Sequence, residues 1–574
     1  MIHSVDPRQN RLFDPFEGVI PPAGRTIIGN GWQGVFRHAI LEAMPVAELA
    51  QHFSDSLGAP TKELYSMAGL VFLADFFDWD AQEAIEAYIF RSDVQYALNT
   101  EPGATLCTRT LERYQQLFRD DDLAAKVFDK VTTKLVGALD LDVSRQRLDS
   151  THVFSHMATF GRTKLMAVAI KRFLTQLRRH DGEAYAALPE GLRERYVPAQ
   201  SRLFADAKDA EARARYRQRA AEDLHSLITR FADRPDHTSR STYQAMITIF
   251  GQQCEISGDK VVVKAKTGGD CVQNPSDLDA TYSGHKGPGY QVQLAETCAP
   301  SNEVQLITAA LPQTACEPDA EAVVPMLDQL ERAGRLPEEM LADALYTGDE
   351  NVQAAAARGV DLIGPVPGRS PESDPEALSV DDFAWDERTG TIDACPAGHA
   401  PTLCSRDAET ATTRIEMPAS ACCECPFRKR CPIENTRDGK FTLEFTDKER
   451  RLAGRRVEES TEVFKERYAP RSGIESTNSG LKNRLGLGRL RVRGRGSVSR
   501  VLRHKVAGWN VLRAAASEKL RAWVQTQVAR TLKGSESGPI EQPLAPVFCP
   551  WDSLPIVLGA SHGCSHGFSA LRAA

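Results

Sequence analysis

The sequence predicts a multidomain α/β protein, on three observations. At 574 residues the chain exceeds what one hydrophobic core organises, since cores stop growing near roughly 250–300 residues. Short strand-like runs alternate with helical patterns through its middle, the order that builds a sheet covered by helices. A helical block precedes this region, and a cysteine-rich stretch and a basic helical stretch follow it. The hydrophobic share of 42% and charged share of 26% are those of ordinary globular chains; they exclude a wholly disordered, collagen-like or fibrous one. No apolar run reaches the ~20 residues that span a bilayer; the best, Met67 to Phe77, is broken by Asp75. Met1 to Asn10 lacks a basic segment followed by an apolar one, so a reducing cytoplasm is expected. The 13 cysteines then read as thiols or metal ligands rather than disulfides.

In chain order, residues 1–33, with Pro21, Pro22 and several glycines, read as an extended arm. Residues 34–135 read as a helical domain. Leu64, Met67, Leu70 and Val71 recur at three- and four-residue spacing, and Asp80 with Glu83 supplies an N-cap and its partner for a helix through Ala84, Ile85 and Tyr88. Residues 136–380 read as the first part of the α/β core, opening on the β-like run Gln146–Phe154. Helical patterning returns as an insertion over about 160–240, whose charge-dense stretch Phe204–Phe231 suits a solvated helical face. Tyr290–Leu294 and Val304–Thr308 alternate apolar and polar residues and, joined through Pro300-Ser-Asn302, suit a hairpin. A helix over Val323–Ala333, a short apolar stretch at Met340–Ala344 and a strand at Val360–Val366 complete this part. Residues 381–445 hold six of the cysteines. Residues 446–516 turn basic and helical as the second part of the core, and 534–574 read as a flexible tail.

The densest chemistry lies in Tyr468-Ala-Pro-Arg471-Ser-Gly-Ile-Glu475-Ser-Thr-Asn-Ser-Gly-Leu-Lys482. On a helix entered after Pro470, Arg471, Glu475 and Lys482 stand at i, i+4 and i+11 and share one face. A carboxylate bracketed by two cations suits a hard metal ion beside phosphate oxygens; a surface ion-pair ladder is the plainer alternative. Two acids end β-like segments upstream: Asp149 in Arg147-Leu-Asp149-Ser-Thr-His152, and Asp343 in Leu341-Ala-Asp343-Ala-Leu-Tyr346, which Gly348 and Glu350-Asn351 follow. Asp279 rivals Asp343, but its glycine-rich surroundings up to Lys286 better fit a loop facing DNA, with Lys286 on a phosphate.

The net charge of −7 looks unfavourable for a nucleic-acid partner, but it is an average. From Lys482 to Arg513 there are ten Lys or Arg and no Asp or Glu. They are Lys482, Arg484, Arg489, Arg491, Arg493, Arg495, Arg500, Arg503, Lys505 and Arg513. In an extended segment the alternating Arg489, Arg491, Arg493 and Arg495 project from one side like a comb and neutralise phosphates, giving salt-sensitive, sequence-independent binding. Val501, Leu502, Val506, Trp509 and Leu512 form an apolar helical stripe suited to core packing.

Tyr468, Arg471, Glu475 and Lys482, separated by two, three and six residues, resemble the signature of DDE-type insertion-sequence transposases of the YREK class. The Asp149 and Asp343 motifs resemble that family's first and second acids, and the helical segment from about Val35 to Leu111 resembles its N-terminal domain. The resemblance spans about residues 30–515. It implies a ribonuclease-H-like mixed-sheet core with helical and cysteine-rich insertions, and a helical N-terminal domain that holds DNA ends or a partner subunit. It implies cleavage at the ends of the element and strand transfer into target DNA. Asp149, Asp343 and Glu475 would hold two magnesium or manganese ions roughly 3.5–4 Å apart, Arg471 and Lys482 would position phosphates, and Tyr468 would orient the strand. Double-stranded DNA as partner, a homodimer or larger assembly on it, and a bacterial, nucleoid-associated setting follow from the same resemblance. In the cysteine-rich stretch, Cys395, Cys422, Cys425 and Cys431 offer thiolates of the kind tetrahedral zinc takes, with His399, Cys404 and Cys423 as competing ligands. The resemblance favours a small structural zinc knuckle there, a redox role being the other option. The rival functions are a ribonuclease-H-like nuclease that only hydrolyses and a DNA-binding descendant that has lost catalysis.

Overall fold

The computed structural model describes residues 1–8, 15–16, 18–158, 160–196, 209–368, 378–386 and 391–533. The tail from Gly534, with Cys549, His562, Cys564 and His566, lies outside them. The chain is a mixed α/β protein in which, among the described residues, helices outnumber strands.

β1 (Arg145–Val153) is the hinge of the main sheet. A small hairpin, β2 (Cys254–Ser257) with β3 (Lys260–Val263), belongs to the insertion. The sheet continues with β4 (Thr281–Ser283), β5 (Gly287–Thr297), β6 (Ile307–Thr314), β7 (Glu339–Leu341) and β8 (Asp361–Ile363). Its order is β4-β5-β1-β7-β8, with β6 also on β5. β5 pairs antiparallel with β1 and β6, whereas β1, β7 and β8 run parallel. The expected hairpin exists, but its second strand starts at Ile307 instead of Val304 and runs on to Thr314. Alternation had marked only the start: Thr308–Ala310 and Pro312–Gln313 are buried on both faces, and a doubly covered strand carries no period of two.

The N-terminal helices begin earlier than expected. Pro22–Asn30 is helical where an extended arm was anticipated, because Pro22 occupies its first turn, where a fixed φ and a missing N–H cost nothing. The Asp80–Glu83 capping box forms as expected: Asp80 accepts from the Gln82 and Glu83 amides, and Glu83 accepts from the Asp80 amide at 2.7 Å. Leu64–Phe76 is apolar almost all round and correspondingly buried. One apolar core joins these helices to β5, to β6 and to the long helix Arg495–Ala515.

The insertion has a core of its own, from the helices Arg162–His180, Ala210–Phe231 and Ser241–Gln253 with the β2–β3 hairpin against them. It therefore extends past residue 240. The cysteine-rich stretch carries a four-stranded sheet of β11 (Leu403–Asp407), β12 (Thr412–Met417), β13 (Glu434–Asn435) and β14 (Phe441–Thr446), preceded by the pair β9 (Ala384–Asp386) and β10 (Thr391–Ala394); its own core is built on β12 and β14, while β11 and β13 are exposed. No helix among the described residues is long and apolar enough to cross a membrane.

Candidate active site

The parallel register of β1 on β7 places Arg147 opposite Leu341. Continuing each strand by two residues sets Asp149 and Asp343 side by side, on the face that Arg147 and Leu341 share. Glu475 arrives from the other direction. It lies in the first turn of the helix Gly473–Leu485, entered through a short 3-10 turn at Ala469–Ser472, where the helix dipole favours an acid.

A buried clamp fixes that helix to the sheet. The Arg147 guanidinium donates to Glu296 Oε2 at 2.6 and 2.8 Å and to the Pro470 carbonyl at 2.7 Å, while the Thr477 hydroxyl donates to Glu296 Oε1 at 2.6 Å. Glu296 is fully buried. Gly473 leaves room for this clamp: a Cβ would stand 2.0 Å from Arg147 Nη1 and push the guanidinium off its partners. At the far end Gly486, at φ 64°, terminates the helix, and the buried Lys505 ammonium donates to the Leu485 carbonyl at 2.6 Å.

The three acids meet at one guanidinium. Arg471 Nη2 donates to Asp149 Oδ1 at 3.1 Å and Asp343 Oδ2 at 3.4 Å, and its Nη1 donates to Glu475 Oε1 at 3.2 Å. Asp149 Oδ2 accepts from Asn478 Nδ2 at 2.9 Å. Exposure rises outward: the side chains of Arg471 and Asp149 are 14% and 15% exposed, that of Asp343 33% and that of Glu475 69%. Burial pushes the Asp149 carboxyl above the usual carboxylate value, against the opposing pull of Arg471. Among the described residues no group of three or more His, Cys, Asp or Glu side chains is arranged to hold a metal ion. The centre of the three acids is taken by Arg471, so the positive charge is already there in protein form.

The other residues singled out from sequence stand as follows. Tyr468 stacks on Phe464 with ring centroids 5.6 Å apart, and burial raises its phenol. Lys482 is exposed two turns beyond Glu475; partial burial lowers its ammonium while Asp149 works to raise it. Lys286 lies beside β1, donating to Ser150 Oγ at 2.8 Å and paired with Asp319 at 3.0 Å, so its charge is already engaged. Asp279 is apart from the three acids and accepts from the Arg495 amide at 3.2 Å.

The arginine comb forms, with a twist. Residues 488–492 run beside the end of β1: the Phe154 amide donates to the Gly488 carbonyl, the Leu490 amide to the Phe154 carbonyl and the His156 amide to the Val492 carbonyl. Arg489, Arg491, Arg493 and Arg495 are all exposed, alternating with inward Leu490 and Val492. They do not all present one free side, however, since Arg491 turns to Asp78 and Glu83, both at 3.2 Å. Arg484 is exposed on the helix end. Two of the ten cations are not surface groups at all. Arg500 is 6% exposed and Lys505 fully buried, the former on Asp75 and the latter near Asp78, because the helix that carries them is packed into the core.

Cys395, Cys422, Cys425 and Cys431 line one small cavity with His399, whereas Cys404 and Cys423 are exposed. Burial, together with the neighbouring thiols, raises the Cys422 and Cys431 thiols.

Sequence reasoning missed Asn478, although it stands at i+7 from Arg471 on the same helical face. It also missed the Arg147–Glu296–Thr477 clamp, whose signal is the single charged residue of β5, and Asp319 beside Lys286.

The family described as Transposase DDE domain matches residues 394–515, a stretch that includes the cysteine cluster, Arg471, Glu475 and Lys482 but neither Asp149 nor Asp343. Among solved structures, the cryo-EM structure of a piggyBac transposase synaptic complex with hairpin DNA is 9% identical, covering 67% of this chain and 74% of that one at a TM-score of 0.17, too slight a likeness to bear on the fold. No curated protein matches the chain.

Proposed function

We propose that the chain, whose residues 394–515 match the Transposase DDE domain family, is a DDE-type transposase acting in DNA transposition, and that it cuts DNA at the ends of an insertion sequence and joins the freed 3′-hydroxyl to target DNA. The observation that carries this reading is the convergence of Asp149, Asp343 and Glu475 on the single Arg471 guanidinium. Three hard oxygen donors around a point that already holds positive charge suit magnesium or manganese. Two such ions, held by these acids, would supply an activated water and a stabilised leaving oxygen.

The protein's own residues do the rest. Arg471 exchanges its carboxylate partners for phosphate oxygens as the strand enters, a bidentate contact its planar fork favours. Lys482, on the same helix face, takes the neighbouring phosphate as a point charge. Tyr468, stacked and half-buried, orients the strand. The mixed sheet, antiparallel on one side of β1 and parallel on the other, supports a ribonuclease-H-like core, and the spacing of Tyr468, Arg471, Glu475 and Lys482 supports the YREK class. The helical block 34–135 holds DNA ends or a second protomer, since cutting paired ends calls for a dimer or more on double-stranded DNA. Such work belongs in the bacterial cytoplasm, on the nucleoid.

Asp149→Asn should lower metal-dependent cleavage of end-containing DNA by on the order of 10³-fold, several kcal/mol of charge stabilisation, and leave DNA binding intact. Retained cleavage would sink the assignment, and cleavage without strand transfer would reduce the enzyme to a nuclease. A structural zinc on Cys395, Cys422, Cys425 and Cys431 is a second proposal, supported by four thiols on one cavity, which would have to close further to ligate an ion because no three of them are arranged to hold one as they stand. It expects one zinc per chain by elemental analysis, lost in Cys422→Ser.

A further inference from the structure

The comb and the insertion meet at a cleft that the three acids do not enter. Its volume is about 930 Å³, and its walls are the helix Arg162–His180 on one side and Arg489 and Arg493 on the other. Lys171, Arg172 and Arg179 face it from the helix, and no Asp or Glu lines it. The helix itself contains no acid along its 19 residues. Among the described residues none of these five cations has a carboxylate partner.

Arg172 shows how unbalanced the cleft is. Its Nη1 donates to Ser276 Oγ at 2.5 Å, while its Nε is buried with no partner. Burial lowers its guanidinium, and the charge of Arg493 lowers it further. Two guanidiniums brought together over a partly buried floor cost free energy unless an anion joins them. Other partly buried arginines of this chain are satisfied either by acids, as Arg451 is by Asp349 at 2.7 Å and Arg456 by Asp381 at 3.1 Å, or by several acceptors at once, as Arg455 is by the Thr347 and Gly364 carbonyls. Among the described residues no acid of the chain lines this cleft to balance Arg172 and Arg493.

We propose that this cleft binds the phosphate backbone of duplex DNA, so that the insertion is one wall of the DNA path and not only a solvated appendage. The inference rests on the transposase reading for the identity of the anion. Along β1 and its extension, Asp149 and the His156–Val492 contact at the cleft are seven residues apart, or roughly 20 Å at ~3.3 Å per residue. That corresponds to about six phosphates along one strand. The cleft would therefore grip the duplex about half a helical turn from the bond being cut, beyond the reach of the residues at the acids.

The test compares full-length wild type with the triple variant Lys171→Ala, Arg172→Ala, Arg179→Ala. The affinity for a random-sequence duplex, long enough to span acids and cleft, is measured by fluorescence anisotropy over a range of salt without divalent ions. Each lost phosphate contact removes about 0.9 from the slope of log affinity against log salt, so the slope should fall by about 2 to 3. A duplex trimmed to end before the cleft should bind both proteins alike. An unchanged slope on the long duplex, or an equal loss on the trimmed one, overturns the proposal. Should the triple variant melt early by circular dichroism, Arg179→Ala alone, at an exposed position, should still lower the slope by about one, and no change there overturns it equally. No cleavage is involved, so a wild type that fails to cut would count against the transposase reading while leaving this measurement to decide the cleft.

Discussion

Arg500 and Arg471 both grip carboxylate, at 2.9 Å in the first case and 3.1–3.4 Å in the second, but one lies in the core and the other at an opening. Arg500 and Asp75 are 7% and 5% exposed and share the site with fully buried His504, whose Nδ1 is 2.7 Å from Asp75. There a single acid answers a single fixed cation, and the account closes within the protein. Around Arg471 three acids face one guanidinium, and the outermost, Glu475, is largely in water. A balanced buried pair has nothing to offer a ligand, and removing one member leaves a stranded charge. An unbalanced cluster keeps spare negative charge at an opening, where an incoming cation can offset it. The cationic cleft beside the insertion is the same imbalance with the sign reversed.

Breaking the balanced pair should have the larger effect on stability. Asp75→Ala leaves Arg500 buried without a partner and should cost about 3–5 kcal/mol in denaturant unfolding, whereas Asp149→Asn should cost almost nothing, since it relieves repulsion among acids. A small loss for Asp75→Ala would show that water reaches the network and that the contrast is false. The acid side of the pH profile sharpens the point. Burial pushes the Asp75 carboxyl up, but Arg500 and His504 outweigh it and hold it below its ordinary 3.8. Burial likewise sets the His504 imidazole below its ordinary 6.5, against the raising influence of Asp75. As pH falls through about 6.5 the unfolded chain takes up a proton that the folded chain refuses at His504, so stability declines there. The Asp75 contribution is lost only below 3.8, as that carboxylate protonates in turn. The melting midpoint should decline from neutral pH toward pH 5 in wild type and less so in His504→Gln.

What could be read from the sequence follows from which signals are local. Asp149, Asp343 and Glu475 sit in short motifs whose residue types and spacing are visible without a fold, and the structure brings those three together. The capping box at Asp80 was legible for the same reason. Burial is not local, and that is where the reading failed. Arg500 and Lys505 look identical to Arg484 in a charge count, yet a helix packed against Asp75 and Asp78 removes them from any DNA surface. Lys286 reads as a free cation until Asp319, far along the chain, is found beside it. The helix Arg162–His180 reads only as part of a helical insertion, because nothing in its own sequence reveals that Arg489 and Arg493 stand opposite.

The last expectation concerns Arg471 itself, and its effect is the smallest. If its guanidinium fills the place of a cation among three acids, Arg471→Ala should raise the affinity of the metal-binding site for Mn²⁺ in the absence of DNA. Removing one unit charge at about 4 Å is worth about 1 to 4 kcal/mol between bulk water and a protein surface. Side-chain mobility and partial exposure bring the expected gain to the lower end, on the order of tenfold by spectroscopic Mn²⁺ titration. The same variant should lose cleavage, because the phosphate loses its bidentate partner. Weaker Mn²⁺ binding would mean that Arg471 holds the acids in position rather than competing for them, and would bring this site closer to the Asp75 network than their charge counts imply. Arg500→Ala, assayed in parallel, should gain no Mn²⁺ affinity, because one buried acid with a histidine offers too few oxygen donors for a hard cation.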